Sequence, residues 1–179
     1  MGVSIDDIQQ KIEKSGSQST AIYIAALAAL LALCSMLSSD AEKTALAAHI
    51  EAANQFAFFQ AKNIRLNNYA IAADLLEIDH PDADGRIAKY RDKAARYKKE
   101  KKKILADARA QQAIRKDALA RARYYDYAIA CMQIAIVVAS ASIVSGGAFL
   151  VTISVMIALM GGVLTANGYF LYIALPYLG

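Results

Sequence analysis

Hydrophobic residues along this chain are gathered into two uncharged stretches, with a charged stretch between them. No Asp, Glu, Lys or Arg occurs in residues 19–39 or in residues 127–179. A bilayer core of about 30 Å is crossed by about 20 apolar residues in a helix. The first stretch suits one span, and the second suits two if the chain turns at Gly146 and Gly147. The pattern predicts an all-α membrane protein with transmembrane helices over 20–38, 127–145 and 148–172.

The stretch between the first two spans, 39–126, is rich in helix-forming residues and holds one strong turn signal. That signal is the segment 78–85, which contains Pro81, Gly85 and three aspartates. We therefore expect two long helices joined by a turn at 79–85. A short connection between long helices favours an antiparallel hairpin.

Two tails lie outside the spans and the hairpin. The N-terminal tail, 1–19, is predicted to be a short amphipathic helix on the membrane surface or on a neighbour, because Ile5, Ile8 and Ile12 share one face. We expect the first span to be retained, since no clear cleavage site follows it. The C-terminal tail covers 173–179.

Each arm of the hairpin carries a stripe of apolar positions at helical spacing. In the first arm the stripe is Leu46, Ile50, Ala53, Ala57, Ala61, Ile64, Ile71, Leu75 and Ile78. In the second arm it is Ile87, Tyr90, Ala94, Tyr97, Ile104, Ala108, Leu119 and Ala122. We expect the first stripe to be buried against the second arm and against further surface. A core this small stabilises a hairpin by only about 3–5 kcal/mol, so we expect neighbouring copies to complete it in a homo-oligomer.

Small residues form a ridge in the third span at steps of four. The ridge is Ser154, Ala158, Gly162 and Ala166. Ridges of this type let helices approach closely, so we expect transmembrane packing here. The same ridge supports an alternative function, an oligomeric channel or pore lined by the third span. The spans contain no ionisable Asp, Glu, Lys, Arg or His, which disfavours a transporter or a proton pump.

Basic residues are unevenly distributed about the spans. Those near the spans on the hairpin side are Lys43, Arg115, Lys116, Arg121 and Arg123. The opposite side has only Lys11 and Lys14. By the positive-inside rule, the hairpin and the C-terminus are predicted to be cytoplasmic.

The densest charge lies in the second arm, in the patch Lys98, Lys99, Lys101, Lys102 and Lys103. In an antiparallel hairpin this run faces 63–68, where the sequence has no acid. The run predicts a solvated basic face or a contact with an acidic protein partner. Membrane lipid is a further candidate partner, although Lys101 precedes the second span by about 25 residues, roughly 37 Å of helix. Nucleic acid is disfavoured, because the run matches no known binding motif.

The motifs that usually carry enzyme chemistry are missing from this sequence. Its two histidines, His49 and His80, are not arranged as metal ligands, and it has no glycine-rich phosphate loop and no serine elbow. Cys34 and Cys131 are expected to lie in contacts between helices. We therefore expect no catalytic residue, no cofactor and no metal, and we do not expect an enzyme.

One segment resembles a known family. Residues 53–65 follow the first span and contain an aromatic-x-x-aromatic-Gln-Ala-Lys core, here Phe56, Phe59, Gln60, Ala61 and Lys62. Over nearly its whole length the chain resembles the bacterial family described as domain of unknown function 4337, although phenylalanine stands where we expect Trp and Tyr. The resemblance implies a bacterial inner-membrane protein and assigns no activity.

On a helix the aromatic core places its residues close together. We predict oligomer or partner contact through Phe56, Phe59, Gln60, Lys62 and Arg65, with packing inside one subunit as the alternative. The sequence thus predicts a non-enzymatic, oligomeric inner-membrane scaffold whose cytoplasmic hairpins assemble and recruit an acidic partner.

Overall fold

The computed structural model describes residues 5–80, 82–145 and 147–171, and every regular element in these ranges is an α-helix. The helices are α1 (Ile5–Asp79), α2 (Asp84–Ser145) and α3 (Ala148–Phe170). All three are long and apolar enough to cross a membrane. The predicted all-α class with three membrane-compatible helices is confirmed.

Helices α1 and α2 each join a predicted span to a predicted arm without interruption. They contain 75 and 62 residues. Neither glycine nor proline occurs in 17–79 or in 86–145, so nothing in the sequence breaks either helix. The backbone of α1 already begins at Ile5, inside the predicted tail. The side chains of Ile5, Ile8 and Ile12 and the tail 173–179 lie outside the described residues.

The chain reverses between α1 and α2 within four residues. The N–H of His80 donates to the carbonyl of Leu76 at 2.9 Å, and the N–H of Ala83 donates to the carbonyl of His80 at 3.0 Å. Proline at 81 disfavours a helical conformation at the residue before it. The two helices therefore end and begin at Asp79 and Asp84, within the predicted turn.

The chain forms two compact units. The hairpin unit, Thr44–Asp117, contains the second part of α1 and the first part of α2. The apolar unit, Met1–Lys43 together with Ala118–Gly179, contains the other parts of these helices and α3.

Alanines make up most of the buried interior of the hairpin unit. On α1 the buried residues are the inner stripe, defined as Ala45, Ala48, Ala52 and Ala73. On α2 they are Ile87 and Ala108, and Ala108 is 0% exposed. Alanine adds little bulk, so the helix axes approach closely along this seam. The stripe predicted for the second arm is buried or half-buried throughout, as expected.

The apolar stripe predicted for the first arm is exposed instead. Ile64 is 59% exposed, Ile71 56% and Ile78 77%. The prediction that this stripe packs on the second arm is therefore wrong. Both stripes repeat at helical spacing, so spacing alone does not choose between them. The alanine face contacts α2, and the isoleucine face lies on the other side of α1.

In the apolar unit, α3 packs through residues spaced seven apart. Ser154, Gly161 and Gly168 are its buried residues. A Cβ at Gly161 would lie 3.3 Å from both the carbonyl oxygen of Ala128 and the Cβ of Cys131. Glycine is needed here because the two helices approach this closely.

The ridge predicted at steps of four packs only at its start. Ser154 is buried and Ala158 half-buried, whereas Gly162 and Ala166 are exposed. A Cβ at Gly162 would meet nothing within 4 Å. Four residues advance a helix by about 400°, so the ridge drifts by about 40° per step, while seven residues return within about 20°. Gly162 and Ala166 therefore take no part in packing within one chain.

Polar groups in the apolar unit bond to one another. Ser154 Oγ donates to the carbonyl of Ala135 at 2.7 Å and lies 3.1 Å from the hydroxyl of Tyr23. Ser38 Oγ donates to Asp126 Oδ1 at 2.6 Å. These bonds satisfy the hydrogen-bonding capacity of polar groups, which lipid tails cannot do. Cys34 and Cys131 are buried, as contacts between helices require.

Candidate interaction surfaces

The first candidate surface is the exposed apolar face of α1 in the hairpin unit. We define the outer stripe by its large exposed residues, Leu46, Ile50, Ile64, Ile71, Leu75 and Ile78. Exposed alanines at 53, 57 and 61 fill the gaps between them. A solvated face of a helix normally carries charged and polar residues. A continuous apolar face of this length indicates an interaction site.

The outer stripe repeats at seven residues and carries no charge. Its central line has Ile50, Ile64, Ile71 and Ile78 at multiples of seven, with alanine at the remaining position, 57. Exposed polar residues flank this line: the amides Asn54, Gln60, Asn67 and Asn68, with His49 and Asp74 at its margin. A repeat of seven keeps one face of a helix turned toward a second helix. The stripe is therefore suited to packing against another helix, and the recognition of a partner along its central line does not depend on charge.

Two of the five contact residues predicted from the aromatic core lie inside the hairpin. Lys62 Nζ forms an ion pair with Glu100 Oε2 at 2.5 Å and lies 4.9 Å from the ring centroid of Tyr97. Phe59 lies under Lys101, whose Nζ is 5.4 Å from its ring centroid. Phe59 and Lys62 thus pack on α2 of their own chain, which is the alternative that the sequence left open.

The other three predicted residues face differently. Gln60 and Arg65 are exposed, and Phe56 is half-buried. Gln60 lies on the same face of α1 as the outer stripe, and Arg65 lies beside that face. The aromatic core therefore spans both faces of α1, and contact with another molecule through it stays a prediction.

A cluster of tyrosines joins the two arms and was missed from the sequence. The ring of Tyr69 stacks on Tyr97 with centroids 5.8 Å apart and is tilted against Tyr90 at 5.7 Å. Lys93 Nζ lies 4.9 Å from the Tyr69 ring centroid. The seven-residue spacing of Tyr90 and Tyr97 was the available signal. The cluster stabilises the hairpin by stacking and by cation–π contact.

Glu100 is the acid at the centre of the basic region. Hydrogen bonds from Lys62 and Arg96 lower the pKa of its carboxyl below the ordinary value of 4.5. Its bond to Arg96 Nε is 2.9 Å long and in turn raises the pKa of that guanidinium. Glu100 therefore stays ionised near neutral pH and pairs with Lys62 and Arg96, so it does not neutralise the outward-facing lysines of α2.

The second candidate surface is the lysine face, which we define as Lys98, Lys99, Lys102 and Lys103. All four are exposed. Among the described residues none of them forms an ion pair. The fifth predicted lysine, Lys101, is half-buried and donates from Nζ to Asn63 Oδ1 at 2.8 Å. The structure thus brings four of the five predicted lysines onto one outward face.

Comparison with known proteins gives a family without an assigned activity. No curated protein and no solved structure matches the chain. A family model described as "Domain of unknown function (DUF4337)" matches residues 16–171, which include α1 from Gly16 onward, all of α2 and α3, and both candidate surfaces. The chain therefore belongs to the DUF4337 family.

Proposed function

We propose that this protein is a non-enzymatic scaffold of the bacterial inner membrane, in which copies of the chain assemble through the outer stripes of their hairpins. The observation that carries the proposal is the exposed, uncharged stripe from Leu46 to Ile78. Burying an exposed isoleucine or leucine contributes about 1.5–3 kcal/mol. A helix with six such residues exposed to water is therefore stabilised when a neighbouring molecule buries them.

A second copy of the chain is the partner that this surface favours. Copies inserted in one membrane with one topology run parallel, so each residue meets the same residue of its neighbour. Ile64 then meets Ile64 and Ile71 meets Ile71, as in a parallel seam with a seven-residue repeat. Amides such as Asn54 and Asn68 can pair with their own copies, because each has donors and an acceptor. The absence of charge on the stripe removes repulsion between copies there.

The stripe is large enough for a specific contact. Its 33 positions from Leu46 to Ile78 extend for about 50 Å along the helix axis. With a contact width of about 10 Å, each copy contributes about 500 Å² and a pair about 1,000 Å². That value lies at the lower limit for a specific interface. Further contact between spans would enlarge it.

We place the hairpin and the C-terminus on the cytoplasmic side, because basic residues are concentrated at the hairpin ends of the spans. The test is labelling of Ala106→Cys, at an exposed position of the hairpin, with a membrane-impermeant maleimide. With Cys34 and Cys131 replaced by alanine, we expect labelling only after the cells are opened. Labelling of intact cells would reverse the orientation.

The alternative is a channel lined by α3. The exposed face of α3 bears large apolar residues, among them Phe149, Met156, Leu159 and Val163. Its polar side chains bond within the unit: Ser154 donates to the carbonyl of Ala135, Thr165 to that of Gly161, and the exposed Thr152 to that of Ala148. This arrangement suits contact with lipid better than the lining of an aqueous pore. Reconstituted bilayers should show no conductance. A conductance that changes on Gly162→Val would favour the channel.

The test of the scaffold is native mass spectrometry of the protein in mild detergent. We expect a discrete complex of several copies. Ile71→Asn should weaken it by at least about tenfold, since one buried isoleucine contributes about 1.5–3 kcal/mol. The helical circular dichroism should be unchanged, because Ile71 contacts little within its own chain.

The matched control is Ile114→Asn. Ile114 is also exposed, at 46%, but lies on α2 outside the outer stripe. We expect this variant to assemble as the original chain does. A monomeric original chain, or equal weakening by both variants, would contradict the proposal.

A further inference from the structure

The lysine face stands in a belt of positive charge that crosses both arms of the hairpin. Residues 58–67 of α1 and 96–106 of α2 contain eight basic residues and one acid, Glu100. Glu100 already bonds to Lys62 and Arg96. About ten residues of helix correspond to about 15 Å, so this charge is confined to a narrow level of the hairpin.

Apart from Glu100, the acid nearest the lysine face in sequence among the described residues is Asp107, four residues after Lys103, and it forms no ion pair with that face. Within the hairpin the lysine face has no acidic partner among the described residues. Parallel copies, as in the proposed assembly, would bring the same level of each chain together, and that level again offers only Glu100. Assembly therefore concentrates positive charge. A ligand that supplies negative charge at this level would be bound more strongly by the assembly than by one chain.

The lysine face also has a geometry that suits a second helix. Lys98 and Lys102 lie within about 40° of each other around α2, and Lys99 and Lys103 form a parallel row beside them. Arg109 and Lys116 continue the first row at steps of seven from Lys102 and are exposed. The basic side chains therefore lie in straight rows along the helix. Carboxylates at seven-residue spacing on a neighbouring helix would match them.

Two features favour an acidic polypeptide over nucleic acid. Phe59, Tyr69 and Tyr97 lie at the seam between the arms, and Phe58 is the one exposed ring among the described residues at this level, so bases would find a poor stacking surface. The four residues of the face are lysines, which act as flexible point charges, whereas arginine is favoured for bidentate binding of phosphate. Lipid is disfavoured as well, because the face lies about 25 residues from the predicted span in sequence.

We propose that the lysine face binds an acidic α-helical segment of another protein. The site consists of Lys98, Lys99, Lys102 and Lys103, and its ligand presents glutamates at seven-residue spacing. This inference rests on the proposed scaffold only for the added strength that assembly gives. The face itself is present in a single chain.

The test uses the full-length protein in neutral detergent and a fluorescent helical peptide with glutamates every seven residues. Two other probes carry the same charge: a peptide of the same composition in scrambled order, and a single-stranded RNA. Fluorescence anisotropy at low and at moderate salt measures the three affinities. We expect the patterned peptide to bind best and its affinity to fall steeply with salt.

The variant replaces Lys98, Lys99, Lys102 and Lys103 by Gln. Four lost ion pairs should weaken binding of the patterned peptide by at least about tenfold. The matched control removes the same charge at other exposed positions, through Lys43→Gln, Arg86→Gln, Lys89→Gln and Arg115→Gln. We expect the control to bind within about twofold of the original chain.

Several outcomes would overturn the proposal. These are binding of RNA or of the scrambled peptide as tight as that of the patterned peptide, equal weakening by both variants, and no binding of any probe. Native mass spectrometry of the same samples tests the proposed scaffold independently of peptide binding. The lysine variant should keep the complex, and loss of the complex with binding intact would count against the scaffold alone.

Discussion

The two apolar faces of α1 in the hairpin unit both repeat at helical spacing, but one is buried and the other is exposed. The inner stripe consists of alanines that are almost fully buried, and Ala73 is 1% exposed. The outer stripe consists mainly of isoleucine and leucine, and each of its large residues is more than half exposed. In a protein that acts as a monomer, we would expect the larger side chains to be buried, since each contributes more to the free energy of folding than alanine does. The burial of the small residues and the exposure of the large ones indicate that the inner stripe allows the arms to approach closely. The outer stripe is left for contact with another molecule.

Helix α3 shows a similar division on a smaller scale. Gly161 is buried where α3 contacts α2, whereas its neighbour Gly162 faces open space. In both helices the smallest residues mark the contact within the chain. Large apolar residues are left on the outside, where lipid or another copy can cover them.

The largest effect should come from enlarging a residue of the inner stripe. Ala73→Leu places three further carbon atoms in a closed seam, and overpacking of this kind costs about 1–3 kcal/mol. The thermal midpoint, followed by circular dichroism in detergent, should fall by several degrees. The same change at Ala61, which is exposed on the outer face, should leave the midpoint within about one degree. An equal fall in the thermal midpoint for both variants would contradict the assignment of one face as buried and the other as exposed.

The glycine pair of α3 offers the next test. A Cβ at Gly161 already lies at 3.3 Å from the backbone of Ala128, so Gly161→Val should cost about 2 kcal/mol. Gly162→Val has room and should cost less than about 0.5 kcal/mol. Urea or thermal unfolding in detergent measures both. A larger loss at Gly162 would mean that this residue packs against a surface outside its own chain.

A smaller effect is expected from the aromatic residues of the hairpin. Tyr97→Ala removes the stack with Tyr69 and the contact with Lys62, each contributing about 0.5–1.5 kcal/mol. Phe58 is 59% exposed and is the matched aromatic residue on the outside. Phe58→Ala should leave the thermal midpoint unchanged. A hairpin that tolerates Tyr97→Ala equally well would not depend on the tyrosine cluster.

The smallest effect concerns the pH dependence of the inner seam. Lys62 and Arg96 lower the pKa of Glu100 in the folded chain, so its ionised form adds stability above about pH 4.5, the ordinary pKa of the unfolded chain. That contribution is lost as the pH falls below 4.5 and through the lowered pKa. Glu100→Gln should therefore lower the thermal midpoint slightly at pH 7 and not at all at low pH. Glu51→Gln, an exposed control that bonds only to Gln55 among the described residues, should show no such difference. Parallel curves for all three proteins would contradict this role of Glu100.

The fold was largely predictable because its signals are long and local. Two uncharged stretches and one proline–glycine segment between helix formers were enough to predict three helices and the turn at 79–85. The seam of α2 was predictable for the same reason, since Ile87 and Ala108 stand among lysines and glutamines. The seam of α1 was not. Both of its faces are apolar at helical spacing, and choosing between them requires knowledge of how closely the arms approach.

The surfaces were predictable in part. The outward direction of Lys98, Lys99, Lys102 and Lys103 follows from the lack of acids at 63–68. The inward direction of Lys101 depends on the rotation of α2 about its own axis, which the sequence does not specify. The ridge of α3 was misplaced because steps of four drift around a helix, while Ser154, Gly161 and Gly168 keep one direction.

The most direct test of the outer stripe is disulfide trapping between copies in the native membrane. Cys34 and Cys131 are first replaced by alanine, and a single cysteine is introduced as Ile71→Cys or, for the control, as Ala106→Cys on the exposed face of α2. In a parallel assembly through the outer stripe, residue 71 meets its own copy, so mild oxidation should give a covalent dimer with Ile71→Cys and none with Ala106→Cys. A dimer with Ala106→Cys and none with Ile71→Cys would show that copies do not meet through this stripe.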